Sequence, residues 1–272
     1  MPFSDIVVIG TSAGGVDALQ RVAAGLPRDF TGSIFVVLHL WPGAASTLPE
    51  ILSRAGPLPA IHPADGEAIM PATIYVAPPD LHMVEDHCIR LVRGPRENRH
   101  RPAIDPLFRS AALAFGPRAV GVVLTGSLDD GTAGLFAIKS RDGTAVVQDP
   151  AEAAYPSMPE SAIQNVFVDY IVPVAEIPPL LVTLSRREVP ARRGRAHANP
   201  GGTSEELTAE IKYAEASMDV LSNEERHPGE PSVFACPECH GSLWEVQEGE
   251  VLRYRCRVGH AYTSESLVSG MH

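Results

Sequence analysis

The sequence has little positive charge and no long apolar run. Its 22 Lys and Arg residues stand against 33 Asp and Glu residues, for a formal net charge of -11, so it lacks the basic surface with which proteins neutralise the phosphates of nucleic acids. No stretch approaches the ~18 uncharged apolar residues of a membrane span, and the first residues do not form a secretory signal. We therefore predict a cytoplasmic protein that has neither a membrane span nor a nucleic-acid partner.

Cysteine is also scarce, with four residues in a chain of 272, which is too few for a disulfide framework. Three of them, Cys236, Cys239 and Cys256, lie near the C-terminus, and with His260 they form the pattern C-x2-C-x16-C-x3-H. Three thiolates and one imidazole at this spacing are typical of a structural zinc ribbon, in which four protein ligands complete the metal's tetrahedron. The alternatives are thiols without a metal and a disulfide between neighbouring cysteines.

The order of apolar and amphipathic segments predicts an α/β fold. From residue 5 to about residue 183, short apolar runs alternate with amphipathic stretches, as in a doubly wound, mostly parallel sheet with helices on both faces. Three short runs between residues 73 and 92, separated by turn residues, predict an antiparallel β-hairpin appended to this sheet.

Composition changes along the chain predict three segments. Residues 1–184 form the α/β domain, and residues 185–231 form a linker because they are rich in Arg, Pro and Gly. Within the linker, Ser204 is a candidate N-cap of a short helix. Residues 232–272 form a small zinc-ribbon-like module, whose segment is too short to fold on an apolar core alone.

A glycine-rich turn, Gly10–Gly15, lies between the first predicted strand and its helix. In an open parallel sheet, ligands and catalytic groups gather beyond the carboxyl ends of the strands. There the hydroxyl of Ser12 would lie at a helix N-terminus, where unpaired amide groups can stabilise an oxyanion. Simple packing and phosphate binding are the other interpretations, but G-x-G-x-x-G is not matched and no Gly-Lys-Ser/Thr follows.

Two other predicted strand ends carry side chains that could act with Ser12. His39 directly follows an apolar run, and Asp129 and Asp130 lie just beyond the strand that ends near Thr125. A histidine can take the proton of a serine hydroxyl, and a carboxylate behind the imidazole fixes its tautomer. Taken alone, each of these residues also fits an ordinary strand end or turn. The sequence pattern does not show whether Asp129 or Asp130 would be the carboxylate behind the imidazole. The order Ser, His, Asp differs from that of the α/β-hydrolases.

Seven motifs occur in an order that resembles the chemotaxis receptor methylesterases of the CheB type, over roughly residues 5–183. They are Gly10–Gly15, Val36–His39, Tyr75–Pro79, Arg101–Phe108, Leu124–Gly126, Asp130–Gly131 and Met158–Pro159. The resemblance implies a doubly wound α/β catalytic domain and a protein-glutamate methylesterase activity.

By this resemblance Ser12 is the nucleophile, His39 the general base and Asp130 the acid that orients it, while the backbone N–H groups of Ala13 and Ser127 form the oxyanion hole. It implies hydrolysis of glutamate γ-methyl esters on cytoplasmic chemoreceptors, with deamidation of receptor glutamines, and no cofactor for catalysis. The family usually has Met-Gly where this chain has Ser127-Leu128, which puts the geometry of the hole in question.

Control and partners are less defined by the sequence. The best-known members of the resembled family carry a phosphorylated receiver domain before the catalytic domain, whereas this chain starts at the first catalytic strand. We therefore expect a constitutively open site, a regulatory protein partner, or a role in a sensory pathway other than flagellar chemotaxis. The alternative function is a catalytically weak scaffold that binds receptors or other partners.

Two basic segments are candidate interaction surfaces. A basic loop would face an acidic receptor or only solvent, and the strand Arg253–Arg257 would form a local basic surface. The loop contains Arg93, Arg96, Arg99, His100 and Arg101.

Overall fold

The computed structural model describes residue 3 and residues 5–40, 45–80, 82–86, 88–189, 204–215, 229–248 and 251–270. Its central sheet has seven strands that all pair in parallel. In spatial order they are β10 (Tyr170–Val172), β9 (Thr144–Gln148), β8 (Ala119–Val123), β1 (Ile6–Thr11), β2 (Ser33–Leu38), β5 (Ile74–Val76) and β3 (Ala60–Ile61). The predicted α/β fold is confirmed.

Helices cover both faces of this sheet, which is why its strands are continuous apolar runs. One face carries α1 (Gly15–Gly25), α2 (Leu48–Ala55) and α6 (Ile177–Ser185), and the other carries α3 (Ile104–Phe115), α4 (Thr132–Ser140) and α5 (Ser157–Asn165). Successive side chains of a strand point to opposite faces. Accordingly, Val7 and Ile9 belong to the first core, whereas Ile6 and Val8 belong to the second.

The chain reverses its direction of winding at β1. From β1 it passes through α1 to β2 on one side, and β8 later pairs with the other side of β1. Strand order reverses here, and such a switch point leaves a crevice beyond the carboxyl ends of the strands. The turns that follow β1, β2 and β8 therefore meet at one place.

The predicted hairpin is present, but it forms a sheet of its own. Strands β6 (His82–Asp86) and β7 (Cys88–Val92) are antiparallel, and the short β4 (Glu67–Ala68) pairs with β7. The run near residue 73, which the sequence groups with the hairpin, instead becomes β5 and pairs in parallel with β2. All three residues of β5 are buried, so burial between the helical layers decides its place.

The C-terminal region adds a four-stranded antiparallel sheet, β11 (Glu230–Ala235), β12 (Ser242–Glu248), β13 (Val251–Cys256) and β14 (Ala261–Thr263), followed by α8 (Ser264–Gly270). We call residues 229–248 and 251–270 the C-terminal module.

Helix α7 (Ser204–Ala214) packs Leu207 and Ile211 onto the core beside α3. Residues 190–203 and 216–228 of the predicted linker lie outside the described ranges. In the part of the chain that the structure describes, no helix has the length and apolarity to span a membrane.

Candidate active site

Ser12 lies on a sharp turn between β1 and α1. Its N–H donates to the Thr125 carbonyl at 3.1 Å, and its own carbonyl accepts from the N–H of Gly15 at 2.9 Å. Gly14 has a φ of 77°, a left-handed conformation that favours glycine. A Cβ at Gly14 would also lie 3.0 Å from the Cβ of Ala154. The glycine therefore permits the turn that presents the Ser12 hydroxyl at the start of α1.

Thr125 joins this turn by hydrogen bonds to the turn that follows β8. Its carbonyl accepts from the Thr11 hydroxyl at 2.7 Å, and its own hydroxyl donates to the Ala13 carbonyl at 3.1 Å. The same hydroxyl accepts from the N–H of Tyr155 at 2.9 Å. Sequence reasoning gave Thr125 no role, because its contacts with Thr11 and Ala13 join positions more than one hundred residues apart.

His39 lies at the end of β2, between Ser12 and the aspartate pair. Its Nδ1 is 3.1 Å from Ser12 Oγ, and its Nε2 is 2.7 Å from Asp130 Oδ2. Only 5% of the His39 side chain is exposed. Asp129 is not part of this chain of contacts, because its carboxylate accepts from the Thr263 hydroxyl. The structure thus brings together Ser12, His39 and Asp130.

The carboxylate of Asp130 is buried in a set of hydrogen-bond donors. Oδ2 accepts from the N–H of Ile104 at 2.7 Å, at the start of α3, and Oδ1 accepts from Asn98 Nδ2 at 2.9 Å. Burial acts to raise the pKa of Asp130, but the hydrogen bond and charge of His39, together with the Ile104 amide, hold this pKa below its usual range. An ionised Asp130 accepts a hydrogen bond from His39 Nε2–H, which leaves Nδ1 unprotonated toward Ser12.

A second imidazole covers His39. The rings of His100 and His39 are stacked, with centroids 3.6 Å apart and planes at 6°. Burial, followed by the nearness of His39, lowers the pKa of His100 to about 3, so this imidazole is neutral around pH 7. Sequence reasoning placed His100 only in a basic loop, because no local pattern shows that it contacts His39.

Comparison with known proteins agrees with this geometry. Residues 7–181 match the family model described as CheB methylesterase. The chain belongs to the CheB methylesterase family.

Two relatives in this family differ in length. A protein of Leptospira interrogans named a putative protein-glutamate methylesterase/protein-glutamine glutaminase is 35% identical over 190 residues, which span 69% of this chain and 98% of that protein. A protein of Caulobacter vibrioides, named protein-glutamate methylesterase/protein-glutamine glutaminase 2, is 37% identical over 188 residues, 67% of this chain and 54% of that protein.

A solved structure supports the same assignment. The crystal structure of the Thermotoga maritima CheB methylesterase catalytic domain matches with a TM-score of 0.64 and 34% identity, over 66% of this chain and 98% of that one. The fold around the three residues is therefore that of the CheB catalytic domain. The family match ends at residue 181, before the C-terminal module begins.

The loop after β8 shows how this chain accommodates Ser127-Leu128. Leu128 has a φ of 64°, a left-handed conformation that costs a residue other than glycine ~1–2 kcal/mol. Its N–H donates to Ser157 Oγ at 3.1 Å. Among the described residues, no hydrogen bond uses the N–H of Ala13 or of Ser127. The loop with Leu128 thus leaves the Ser127 amide available to a ligand.

The four predicted metal ligands converge within the C-terminal module. The ligand atoms of Cys236, Cys239, Cys256 and His260 all lie within 4.8 Å of one another, and the cysteines are free thiols. Cys239 Sγ and Cys256 Sγ are 3.6 Å apart, close to the ~3.8 Å that two sulfur ligands at ~2.3 Å from a tetrahedral zinc would show. This group could hold a metal ion.

The predicted basic surface on β13 is wrong, because Arg253 and Arg255 are 1% exposed. Arg253 pairs with Glu97 at 2.8 Å and with Glu210 of α7 at 2.9 Å, and Arg255 also pairs with Glu210. Burial opposes ionisation of Glu97, but the surrounding guanidinium groups hold its pKa below the usual range. The arginines join the C-terminal module to the α/β domain.

The basic loop is also engaged within the chain. Arg93 and Arg101 both pair with Asp80, while Arg99 donates to the carbonyl and the hydroxyl of Ser269 in α8. Its charges therefore stabilise contacts with the α/β domain and the C-terminal module.

Proposed function

We propose that the protein is a serine hydrolase that cleaves glutamate γ-methyl esters of chemoreceptors or similar methylated sensory proteins. The observation that carries the proposal is the continuous line of hydrogen bonds from Ser12 through His39 to Asp130. Membership of the CheB methylesterase family supports the choice of substrate. Relatives whose names include protein-glutamine glutaminase support a second substrate, the side-chain amide of glutamine.

In the first half-reaction, Ser12 Oγ attacks the ester carbonyl while its proton passes to His39 Nδ1. Asp130 stabilises the imidazolium through Nε2. The oxyanion of the tetrahedral intermediate accepts hydrogen bonds from the N–H groups of Ala13 and Ser127, which have no other acceptor among the described residues.

The first half-reaction ends when the intermediate collapses and His39 gives its proton to the departing methoxide, so that methanol leaves. A glutamyl ester of Ser12 remains. His39 then takes a proton from water, the resulting hydroxide attacks the acyl carbon, and the Ser12 oxygen leaves with that proton. The products are glutamate and free enzyme, and with a glutamine substrate the leaving group is ammonia.

His100 assists this chemistry by remaining uncharged. A cationic neighbour at a centroid distance of 3.6 Å would oppose protonation of His39. Because burial keeps His100 neutral, its ring shields one face of His39 from water without adding repulsion.

We further propose that the group of Cys236, Cys239, Cys256 and His260 holds a structural zinc ion. Its closed set of four ligands leaves no position for substrate, so the ion supplies folding energy and takes no part in the reaction. With it, we divide the chain into a catalytic domain at 1–184, a linker with a short helix at 185–231 and a zinc-ribbon-like module at 232–272.

Labelling with a fluorophosphonate tests the proposed nucleophile. The probe reacts only with an activated serine, so we expect one label per chain on Ser12, located by mass spectrometry, and much slower labelling in His39→Ala. The matched control is Ser140→Ala in α4, which removes a hydroxyl that donates to the Ala137 carbonyl of the same helix and should leave the labelling of Ser12 unchanged. A folded protein that is not labelled at Ser12 would favour a binding scaffold over an enzyme.

A further inference from the structure

Asn98 lies where the C-terminal module meets the proposed triad. It belongs to the loop between β7 and α3, is 2% exposed and has a φ of 49°. Its backbone N–H donates to the carbonyl of Ala261 in β14 at 2.8 Å. The main chain at this position is thus attached to a strand of the module.

All four hydrogen-bonding positions of the Asn98 side-chain amide are used. Nδ2 donates to Asp130 Oδ1 at 2.9 Å and to Asp105 Oδ2 at 3.1 Å. Oδ1 accepts from the N–H of Thr263 at 3.0 Å and from the hydroxyl of Ser266 at 3.1 Å. A side-chain amide has two donor hydrogens and two acceptor lone pairs, so this set is complete.

The partners also fix which way the amide faces. If the amide were turned over, its oxygen would face two carboxylates and its NH2 group would face two donors. The donors from Thr263 and Ser266 therefore hold the NH2 group of Asn98 toward Asp130.

We propose that Asn98 is a positioning residue for the catalytic acid, and that the C-terminal module, through Thr263 and Ser266, fixes Asn98 in the orientation that aligns Asp130 with His39. The inference rests on the proposed function, because alignment of Asp130 matters to a reaction only if His39 is the general base.

Two further contacts attach the module on either side of Asn98. The Thr263 hydroxyl donates to Asp129 Oδ1 at 2.7 Å, beside the catalytic acid in sequence. On the other side, Glu97 pairs with Arg253 of β13 and with Arg109 of α3, and these side chains are all fully buried. A buried ion pair fixes its partners closely, since separation would leave an unpaired charge. The residue before Asn98 and the residue before Asp130 are thus both held by the module.

The family match covers residues 7–181, so Thr263 and Ser266 come from a region beyond the matched domain. This chain therefore supplies part of the surroundings of its own Asp130 from its C-terminal module.

The test compares three full-length variants with the wild type. Asn98→Ala removes the donor to Asp130, Ser266→Ala removes one donor to Asn98, and Ser269→Ala is the matched control on the same helix. Ser269 contacts Arg99 instead of Asn98. For each, kcat and KM are measured by methanol release from a methylated receptor fragment, and the downfield proton NMR signal of His39 Nε2–H is recorded.

We expect kcat to fall about tenfold in Asn98→Ala and about threefold in Ser266→Ala, as for the loss of one charged and one neutral hydrogen bond. KM should change by less than about twofold, and Ser269→Ala should match the wild type. The chemical shift of the His39 Nε2–H signal should change in Asn98→Ala and Ser266→Ala and should be the same as in the wild type in Ser269→Ala. If Asn98→Ala does not fold, Ser266→Ala decides the question alone.

The inference is overturned if the folded variants keep both kcat and the His39 signal of the wild type. A wild type that releases no methanol and is not labelled at Ser12 would contradict the proposed function instead. In that event the NMR comparison still decides whether the module sets the hydrogen bond between His39 and Asp130.

Discussion

At the scale of single residues, the surroundings of two adjacent aspartates shift their pKa values in opposite directions. Asp130 is held ionised by His39 and by backbone amides. Burial raises the pKa of Asp129 to about 7, although the hydrogen bond from Thr263 opposes this change. The sequence left these residues as alternatives, because both follow the same strand. The difference arises from the side chains that surround them, which come from distant parts of the chain.

The raised pKa of Asp129 predicts a pH-dependent stability. Between its ordinary pKa of 3.8 and about 7, Asp129 is protonated in the folded state and ionised in the unfolded state. Unfolding then releases a proton, so the free energy of unfolding falls as pH rises through this window, by up to ~1.4 kcal/mol per pH unit. Urea unfolding at several pH values should show a shallower decrease in Asp129→Asn.

The control for this measurement is Asp142→Asn, at an exposed position with a φ of 64° that asparagine readily adopts. This variant should keep the pH dependence of the wild type. An Asp129→Asn variant with an unchanged pH dependence would contradict the assigned burial of Asp129.

At the scale of elements, strand β13 shows what a local pattern cannot reveal. Its alternating residues place Arg253 and Arg255 on one side and Tyr254 and Cys256 on the other. Whether that first side faces water depends on Glu97, which is more than 150 residues earlier in the chain. The parallel strands, by contrast, were predictable because burial on both faces makes each of them a continuous apolar run.

The buried ion pairs of Glu97 predict a large loss of stability in Glu97→Gln. The substitution would leave the guanidinium groups of Arg109 and Arg253 with less compensation in a buried site, which costs ~3–5 kcal/mol. Urea or thermal unfolding measures the change.

The matched control is Glu215→Gln, whose partner Arg90 is 46% exposed. An exposed pair contributes ~1 kcal/mol or less, so this variant should unfold much like the wild type. Equal losses in the two variants would contradict the account of the interface between β13 and the α/β domain.

At the scale of the whole molecule, the C-terminal module and the α/β domain meet at the candidate active site. The motifs sufficed to predict the fold and the family, since four of them lie at the carboxyl ends of the parallel strands β1, β2, β5 and β8, where catalytic groups gather in such a sheet. The placement of Asn98 and His100 against Asp130 and His39 was not predictable. The placement of Asn98 depends on how the module packs on the domain, and the spacing of the metal ligands carries no information about that packing.

Removal of the proposed zinc ion should therefore affect stability and catalysis together. We expect one zinc per chain by elemental analysis, absent from Cys236→Ser and Cys239→Ser. Binding of a structural zinc contributes ~10–16 kcal/mol to the folding free energy of small modules. The module of the metal-free protein should therefore unfold, and a lower melting temperature would show this. The rate of methanol release should fall as well, because the Asn98 side chain then loses the hydrogen-bond donors of Thr263 and Ser266.

For this experiment the control is Cys88→Ser, which lies outside the ligand group and should retain zinc. A protein that folds fully and binds no zinc would contradict the proposed metal site.

The central claim is that Ser12, aligned by His39 and Asp130, hydrolyses glutamyl methyl esters. Its most direct test is methanol release from a methylated chemoreceptor fragment by the purified full-length protein and by its Ser12→Ala variant. The account predicts release by the wild type and, without the nucleophile, a rate lower by at least ~10³-fold. Release that is equal in both proteins, or absent from a folded wild type that holds its metal, would contradict it.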